Sequence, residues 1–148
     1  MGAKDYRDLI VWQKAFRLAA TIYKETALFP AEEKYGITSQ MRRASVSVPS
    51  NIAEGEGRDS KGDFRHHLSI ALGSLRELET QILLSVELGY LKPTSVDGMM
   101  ALADEVGRLI RGLSNSLKTT NTDQDQSSFT IHHPLSTASA TTRLSMQR

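Results

Sequence analysis

Apolar residues recur along the chain at alternating steps of three and four positions, the spacing that stacks side chains on one face of an α-helix. The first series predicts a helix over residues 8–28, with Asp8 as its N-cap, before Phe29-Pro30 ends it. The second series predicts a helix over residues 37–54. Its apolar spacing continues across Pro49, so we expect one kinked helix here rather than two.

The third helix has the clearest boundaries. Ser60 and Asp63 have the spacing of a capping box, and Gly89 stands where a C-terminal glycine ends a helix. A fourth apolar series follows Pro93 and runs to Leu117. Short connections favour antiparallel neighbours, and no segment alternates with a period of two. The pattern therefore predicts an all-α, up-and-down antiparallel four-helix bundle.

The first helix carries two apolar stripes. We assign the first stripe to the bundle's own core, and it consists of Leu9, Trp12, Phe16, Ala19 and Tyr23. The second stripe is rotated from it by about 115° at 100° per residue, and it consists of Val11, Ala15, Leu18 and Ile22. Together they span an apolar arc of about 200°, twice the roughly 100° that a helix on a monomer's surface needs. We therefore predict that the second stripe is an oligomer interface.

Composition changes after Lys118. Residues 1–118 hold all four apolar series, whereas residues 119–148 are rich in Ser, Thr, Asn and Gln and poor in large apolar side chains. Such a segment buries too little surface to offset its ordering entropy. We predict one bundle domain over residues 1–118 and a disordered tail over residues 119–148.

Composition also narrows the compartment. The chain has no cysteine, its first residues are charged rather than apolar, and it contains no apolar run of the roughly 20 residues that span a bilayer. We therefore expect a cytoplasmic protein without membrane contact. Eighteen basic and seventeen acidic residues give a net charge of +1, so any nucleic-acid contact must rest on local basic patches.

The sequence contains no recognisable catalytic, cofactor or metal motif. His66 and His67 are adjacent, which points them about 100° apart on a helix rather than toward one metal ion. The glycines at 55, 57 and 62 join two helices and lack the strand and the Gly-Lys-Ser/Thr ending of a phosphate loop. No Gly-x-Ser-x-Gly nucleophile motif occurs. We expect a protein that is not an enzyme and needs no cofactor or metal.

Short polar and amide side chains form a stripe on the second helix and another on the third. Their spacing predicts a polar binding groove between these helices, and its members are Gln40, Arg43, Ser47, Asn51, Glu54, Ser74, Glu77 and Glu79. Plain solvation of the two faces is the alternative. Projection of the third helix places Glu79 among leucines, so we expect it to be buried with a donor such as Arg43 or Trp12.

Several strings together resemble one family. They include Asp8-Leu-Ile-Val-Trp12, Gln40-Met-Arg42-Arg43-Ala44 and the run from Ser47-Val-Pro49 through Asn51 to Glu54-Gly55. These strings resemble the four-helix bundle proteins encoded within intervening sequences of bacterial 23S ribosomal RNA genes. The resemblance covers residues 5 to 115.

The resemblance implies a ring-shaped homopentamer. A related branch accompanies the reverse transcriptase of diversity-generating retroelements, where a basic ring binds nucleic acid. The first hypothesis is therefore a bacterial, non-enzymatic oligomeric scaffold that contacts RNA or DNA, or an RNA-handling protein such as a reverse transcriptase. The candidate phosphate contacts are Arg42, Arg43, Arg58, Lys61 and Arg65. The second hypothesis is a small-ligand or peptide module that uses the polar groove.

Overall fold

The computed structural model describes the backbone over residues 5–129 and the side chains over residues 5–118. Four helices follow one another: α1 (Ile10–Thr26), α2 (Ile37–Glu56), α3 (Lys61–Glu87) and α4 (Pro93–Phe129). Short 3₁₀ turns precede α1 at Tyr6–Asp8 and α2 at Ala31–Glu33. The described residues contain no strand, so the predicted all-α class is confirmed.

Each helix packs against its neighbours in the chain, and α1 also packs against α4, which closes the up-and-down bundle. The core is apolar along the predicted faces of α2, α3 and α4, with Met41, Leu68, Leu75, Ile82 and Ala103 fully buried. None of the described helices has a stretch that is both long and apolar enough to cross a membrane.

Local sequence signals fix several helix ends. The Ser60 hydroxyl accepts a hydrogen bond from the Asp63 backbone N–H at 3.0 Å, as the capping spacing predicts. Gly89 follows α3 with φ +78°, a left-handed conformation that glycine adopts without a Cβ penalty. Pro49 lies inside one continuous α2, since the apolar face continues on both sides of it.

The start of α1 differs from the prediction. Asp8 is not its N-cap; Asp5 caps a preceding 3₁₀ turn by accepting the Arg7 backbone N–H at 2.8 Å. Hydrogen bonding from the Arg7 side chain to the same carboxylate lowers the pKa of Asp5 to about 2. Helix α1 then begins after Leu9, which offers no side-chain cap.

One contact ties the two turns at the same end of the bundle together. The Tyr90 hydroxyl donates to Glu33 Oε1 at 3.1 Å, and Glu33 Oε2 accepts the Ile37 backbone N–H at 3.2 Å. Glu33 therefore caps the N-terminus of α2 and anchors the α3–α4 turn at once. The hydrogen bond to Glu33 raises the pKa of Tyr90.

Helix α4 ends at Phe129, beyond the predicted domain boundary at Lys118. Residues 130–148, and the side chains from residue 119 onward, lie outside the described residues. The disordered tail over residues 119–148 stays a prediction.

The structure contradicts the predicted division of α1 into a core stripe and an interface stripe. The predicted interface residues Val11, Ala15, Leu18 and Ile22 are all buried in the chain's own core, at 5%, 1%, 1% and 0% exposure. Two members of the predicted core stripe, Phe16 and Tyr23, are 56% and 44% exposed instead.

The physical reason is the position of the charged residues on α1. Lys24 lies nine residues after Ala15, about 180° around the helix at 100° per residue, and Arg17 lies close to the same pole. The face opposite these charges must turn inward, and Ala15 and Ile22 occupy that face. The aromatic stripe lies on its flank, toward α2.

Candidate functional site

Two grooves flank α2, one on each side. The first groove, between α2 and α3, has a volume of about 510 Å³ and mostly polar walls. We call it the α2–α3 groove, and its lining residues are Gln40, Arg43, Ala44, Ser47, Ser74 and Glu77. Five of the eight predicted groove residues therefore lie together.

Small side chains let α2 and α3 approach closely at the floor of the α2–α3 groove. The hydroxyls of Ser47 and Ser74 share a hydrogen bond of 2.8 Å between the two helices. Asn51 Nδ2 donates to the Ser47 carbonyl at 2.8 Å and to its hydroxyl at 3.1 Å. Asn51, one helical turn after Ser47, therefore fixes the position of the Ser47 hydroxyl.

The remaining predicted groove residues lie elsewhere. Glu54 is exposed and does not line the α2–α3 groove. Glu79 pairs with Arg76 at 2.7 Å, and its side chain is 18% exposed. The Arg76 guanidinium lies against Gly107, which places this pair on the α4 side of α3. The predicted donor to Glu79 is present, although the carboxylate is partly rather than fully buried. The donor is neither Arg43 nor Trp12, because Arg43 lines the α2–α3 groove on another face of α3 and Trp12 lines the α1–α2 groove.

One residue with the spacing of the polar stripe on α3, Gln81, was not among the predicted groove residues. Gln81 is 7% exposed, and its Nε2 donates to Glu77 Oε1 at 3.2 Å. Its own Oε1 is buried without a hydrogen-bond partner in the described structure. A buried amide at stripe spacing beside a carboxylate was the signal that could have identified it.

The second groove lies between α1 and α2 and is apolar, with a volume of about 370 Å³. We call it the α1–α2 groove, and its lining residues are Tyr6, Trp12, Phe16, Ala19, Ala20, Tyr23, Val46, Pro49, Ser50 and Ala53. Trp12 stacks on Phe16 with ring centroids 4.9 Å apart, and Tyr6 packs edge-on against Trp12 at 5.3 Å. These contacts arrange the exposed aromatic rings as one surface.

The predicted phosphate contacts do not form one cluster. Arg42 is engaged in packing α2 on α1, because its Nε donates to the Thr26 hydroxyl at 2.9 Å and its guanidinium lies 4.7 Å from the Tyr23 ring centroid. Arg42 is therefore not available as a phosphate contact. Arg43 lines the α2–α3 groove, fifteen residues or roughly 22 Å along the helix from Arg58.

The other three basic residues gather at the turn between α2 and α3. Arg58 Nε donates to His67 Nε2 at 3.2 Å, so the proton of a neutral His67 is on Nδ1, which is buried without a partner. Lys61 is exposed, and Arg65 is half-buried with an unpartnered Nε. Four carboxylates lie in the same stretch, at Glu54, Glu56, Asp59 and Asp63, so the turn has no excess of positive charge.

Gly55 sets the closest approach of α2 and α3 near this turn. A Cβ at this position would lie 2.8 Å from His67 Cβ and 3.2 Å from the Phe64 carbonyl oxygen. In the part of the chain that the structure describes, no three His, Asp or Glu side chains converge as metal ligands would.

Comparison with known proteins agrees with the fold. A protein of unknown function from the S23 ribosomal protein family of Bacteroides thetaiotaomicron VPI-5482 has a similar structure, with a TM-score of 0.67 and 24% sequence identity over 72% of this chain and 96% of that protein. At this identity the likeness concerns the fold alone. No curated protein matches the chain. The sequence model of the 23S rRNA-intervening sequence protein matches residues 7–112. The chain therefore belongs to the 23S rRNA-intervening sequence protein family.

Proposed function

We propose that the chain is a non-enzymatic scaffold that assembles with copies of itself, and the α1–α2 groove is the observation that carries this proposal. Phe16 and Tyr23 expose 56% and 44% of their surface within an apolar concavity. A monomer gains nothing from leaving such a surface in water, because burying apolar area releases about 25 cal/mol per Å². The part of the apolar arc of α1 that the bundle leaves exposed is therefore the part that contains Phe16 and Tyr23.

A second apolar surface of the same chain supplies the complementary side. Leu84 and Leu88 are 48% and 49% exposed, one helical turn apart at the C-terminal end of α3. Helix α3 is not a packing neighbour of α1, so these leucines and the α1–α2 groove lie on different sides of the bundle. Contact between two different surfaces is head-to-tail, and its closure makes a ring. The ring of five is the number that the family resemblance implies.

Phe16→Glu is expected to dissociate this assembly, because it places a carboxylate in the apolar contact, where a charge without a partner is costly. Light scattering at micromolar concentration should give a multiple of the chain mass for the wild type and a mass near one chain for Phe16→Glu. Tyr35→Glu is the matched control, since Tyr35 is 89% exposed outside both grooves. A wild-type particle with the mass of one chain would refute self-association.

Nucleic acid is the second candidate partner, contacted directly or through an RNA-handling protein such as a reverse transcriptase. The family's name and the exposed basic side chains at Arg43, Arg58 and Lys61 support it. The carboxylates at the α2–α3 turn weaken the positive electrostatic potential of the basic side chains there. We therefore expect binding only at low ionic strength, where phosphate contacts are least screened.

The measurement is fluorescence anisotropy of a labelled single-stranded RNA, titrated at several salt concentrations. Affinity should fall steeply as salt rises, since each phosphate contact releases counterions. Arg58→Glu combined with Lys61→Glu should abolish binding, whereas Arg111→Glu on the exposed face of α4 should leave it nearly unchanged. Absence of binding to RNA and DNA at low salt would remove this candidate.

A further inference from the structure

The α2–α3 groove places one positive and one negative group on opposite walls. Arg43 precedes Ser47 by four residues on α2, and Glu77 follows Ser74 by three residues on α3. The two helices run antiparallel and meet at the Ser47–Ser74 hydrogen bond, so both groups lie on the same side of that contact, about 6 and 4.5 Å along the axis. Arg43 and Glu77 therefore line the groove at nearly the same level.

Arg43 and Glu77 do not form an ion pair with each other. Within the described residues, ion pairs such as those of Arg76 with Glu79 and of Lys14 with Glu105 join other side chains, and neither Arg43 nor Glu77 belongs to a described ion pair. Glu77 is instead held by the buried carboxamide of Gln81. A hydrogen bond from a neutral amide orients the carboxylate and leaves its charge uncompensated. The groove thus presents a guanidinium and an oriented carboxylate with space between them.

The chemistry of the walls narrows the class of ligand. The lining contains no aromatic ring, so a nucleobase would find no stacking platform there. A purely anionic ligand would be repelled by the Glu77 carboxylate, and a purely cationic ligand would be repelled by the Arg43 guanidinium. A ligand with both an acid and an ammonium group satisfies both walls. Its other polar atoms can bond to Gln40 and to the Ser47 and Ser74 hydroxyls on the floor.

We propose that the α2–α3 groove binds a small zwitterion of the amino-acid class. Arg43 donates to its carboxylate, and Glu77 accepts from its ammonium group. This site goes beyond the scaffold proposal and does not depend on it, because no residue of the α1–α2 groove lines the α2–α3 groove.

The test uses the full chain and the free proteinogenic L-amino acids, each added separately while backbone amide shifts are followed by NMR. At least one of them should produce saturable shifts at residues of the α2–α3 groove. Arg43→Gln and Glu77→Gln should each weaken its binding about tenfold or more, the effect of losing one charge-assisted hydrogen bond. The exposed positions outside the groove supply matched controls, and Arg17→Gln and Glu87→Gln should leave the affinity unchanged.

Two modified probes identify which wall holds which group. The N-acetylated amino acid lacks the ammonium group, so it should bind about tenfold more weakly and become insensitive to Glu77→Gln while staying sensitive to Arg43→Gln. The amino-acid amide lacks the carboxylate and should show the opposite pattern. Light scattering of the Arg43→Gln variant should give the wild-type mass, which separates this site from self-association. Absence of saturable shifts with every amino acid, or equal effects of Arg43→Gln and Arg17→Gln, would overturn the proposal.

Discussion

Leu18→Ala is expected to lower the free energy of unfolding by about 2–5 kcal/mol, the range for removing a buried leucine side chain. Leu18 is 1% exposed in the core of the bundle. The truncation loses the transfer free energy of three methyl or methylene-sized groups and leaves a cavity that a four-helix core fills only partly. Leu18→Glu, which would test an interface if Leu18 faced outward, is expected to unfold the chain instead, because it buries a carboxylate without a partner.

Leu28→Ala is the matched control, since it makes the same chemical change just after the same helix at a side chain that is 83% exposed. Its effect should stay within about 0.5 kcal/mol, as for surface substitutions generally. Equilibrium denaturation in urea, followed by circular dichroism, gives both values. Equal losses for the two variants would mean that the stripes on α1 are not oriented as described.

Gly55→Ala is expected to lower the free energy of unfolding even though alanine is the better helix former. The added Cβ would lie 2.8 Å from His67 Cβ and 3.0 Å from Phe64 Cδ1, so α2 and α3 must separate. Overpacking of this kind costs about 1–3 kcal/mol, and the higher helix propensity of alanine returns about 1 kcal/mol. The net loss should therefore reach about 2 kcal/mol.

Gly73→Ala is the control, and we expect it to change the free energy of unfolding in the opposite direction. Gly73 lies inside α3, and a Cβ there would meet no atom within 4 Å. The substitution should raise the free energy of unfolding by about 0.5–1 kcal/mol, because only the entropy and propensity effect remains. The same urea denaturation measures both variants. A gain in stability for Gly55→Ala would contradict the close approach of α2 and α3 at this position.

The α2–α3 groove could be predicted largely from spacing. Residues Gln40, Arg43 and Ser47 recur at steps of three and four on one helix, and Ser74 and Glu77 do so on the next, which places each set on one face. Spacing argues against Glu79 as a member of this face, because it lies two residues, or about 200° around the helix, from Glu77. The structure places Glu79 on the α4 side with Arg76, and adds Gln81 as the residue that orients Glu77.

The phosphate contacts were less predictable. Adjacent arginines at 42 and 43 look equivalent in the sequence, yet they point about 100° apart on a helix. That rotation sends Arg42 to the Thr26 hydroxyl and the Tyr23 ring of α1, while Arg43 remains exposed in the α2–α3 groove. Whether an arginine can contact phosphate depends on which side chains of the neighbouring helix it meets, and the sequence does not identify those side chains.

The amino-acid sequence by itself determined the all-α class, the order of four helices, the Ser60 cap, the Gly89 terminus and the inward faces of α2, α3 and α4. These features follow from local periodicity and from the backbone preferences of single residues, which need no knowledge of distant contacts. The sequence also held the signal for the inward face of α1, because Arg17 and Lys24 form a charged pole opposite Ala15 and Ile22, although the apolar period alone did not separate the two stripes. Only the tertiary structure decided what the flank of that face meets: Trp12 packs against the core, while Phe16 and Tyr23 line the α1–α2 groove, because the helical period does not specify which neighbouring helix lies beside each flank.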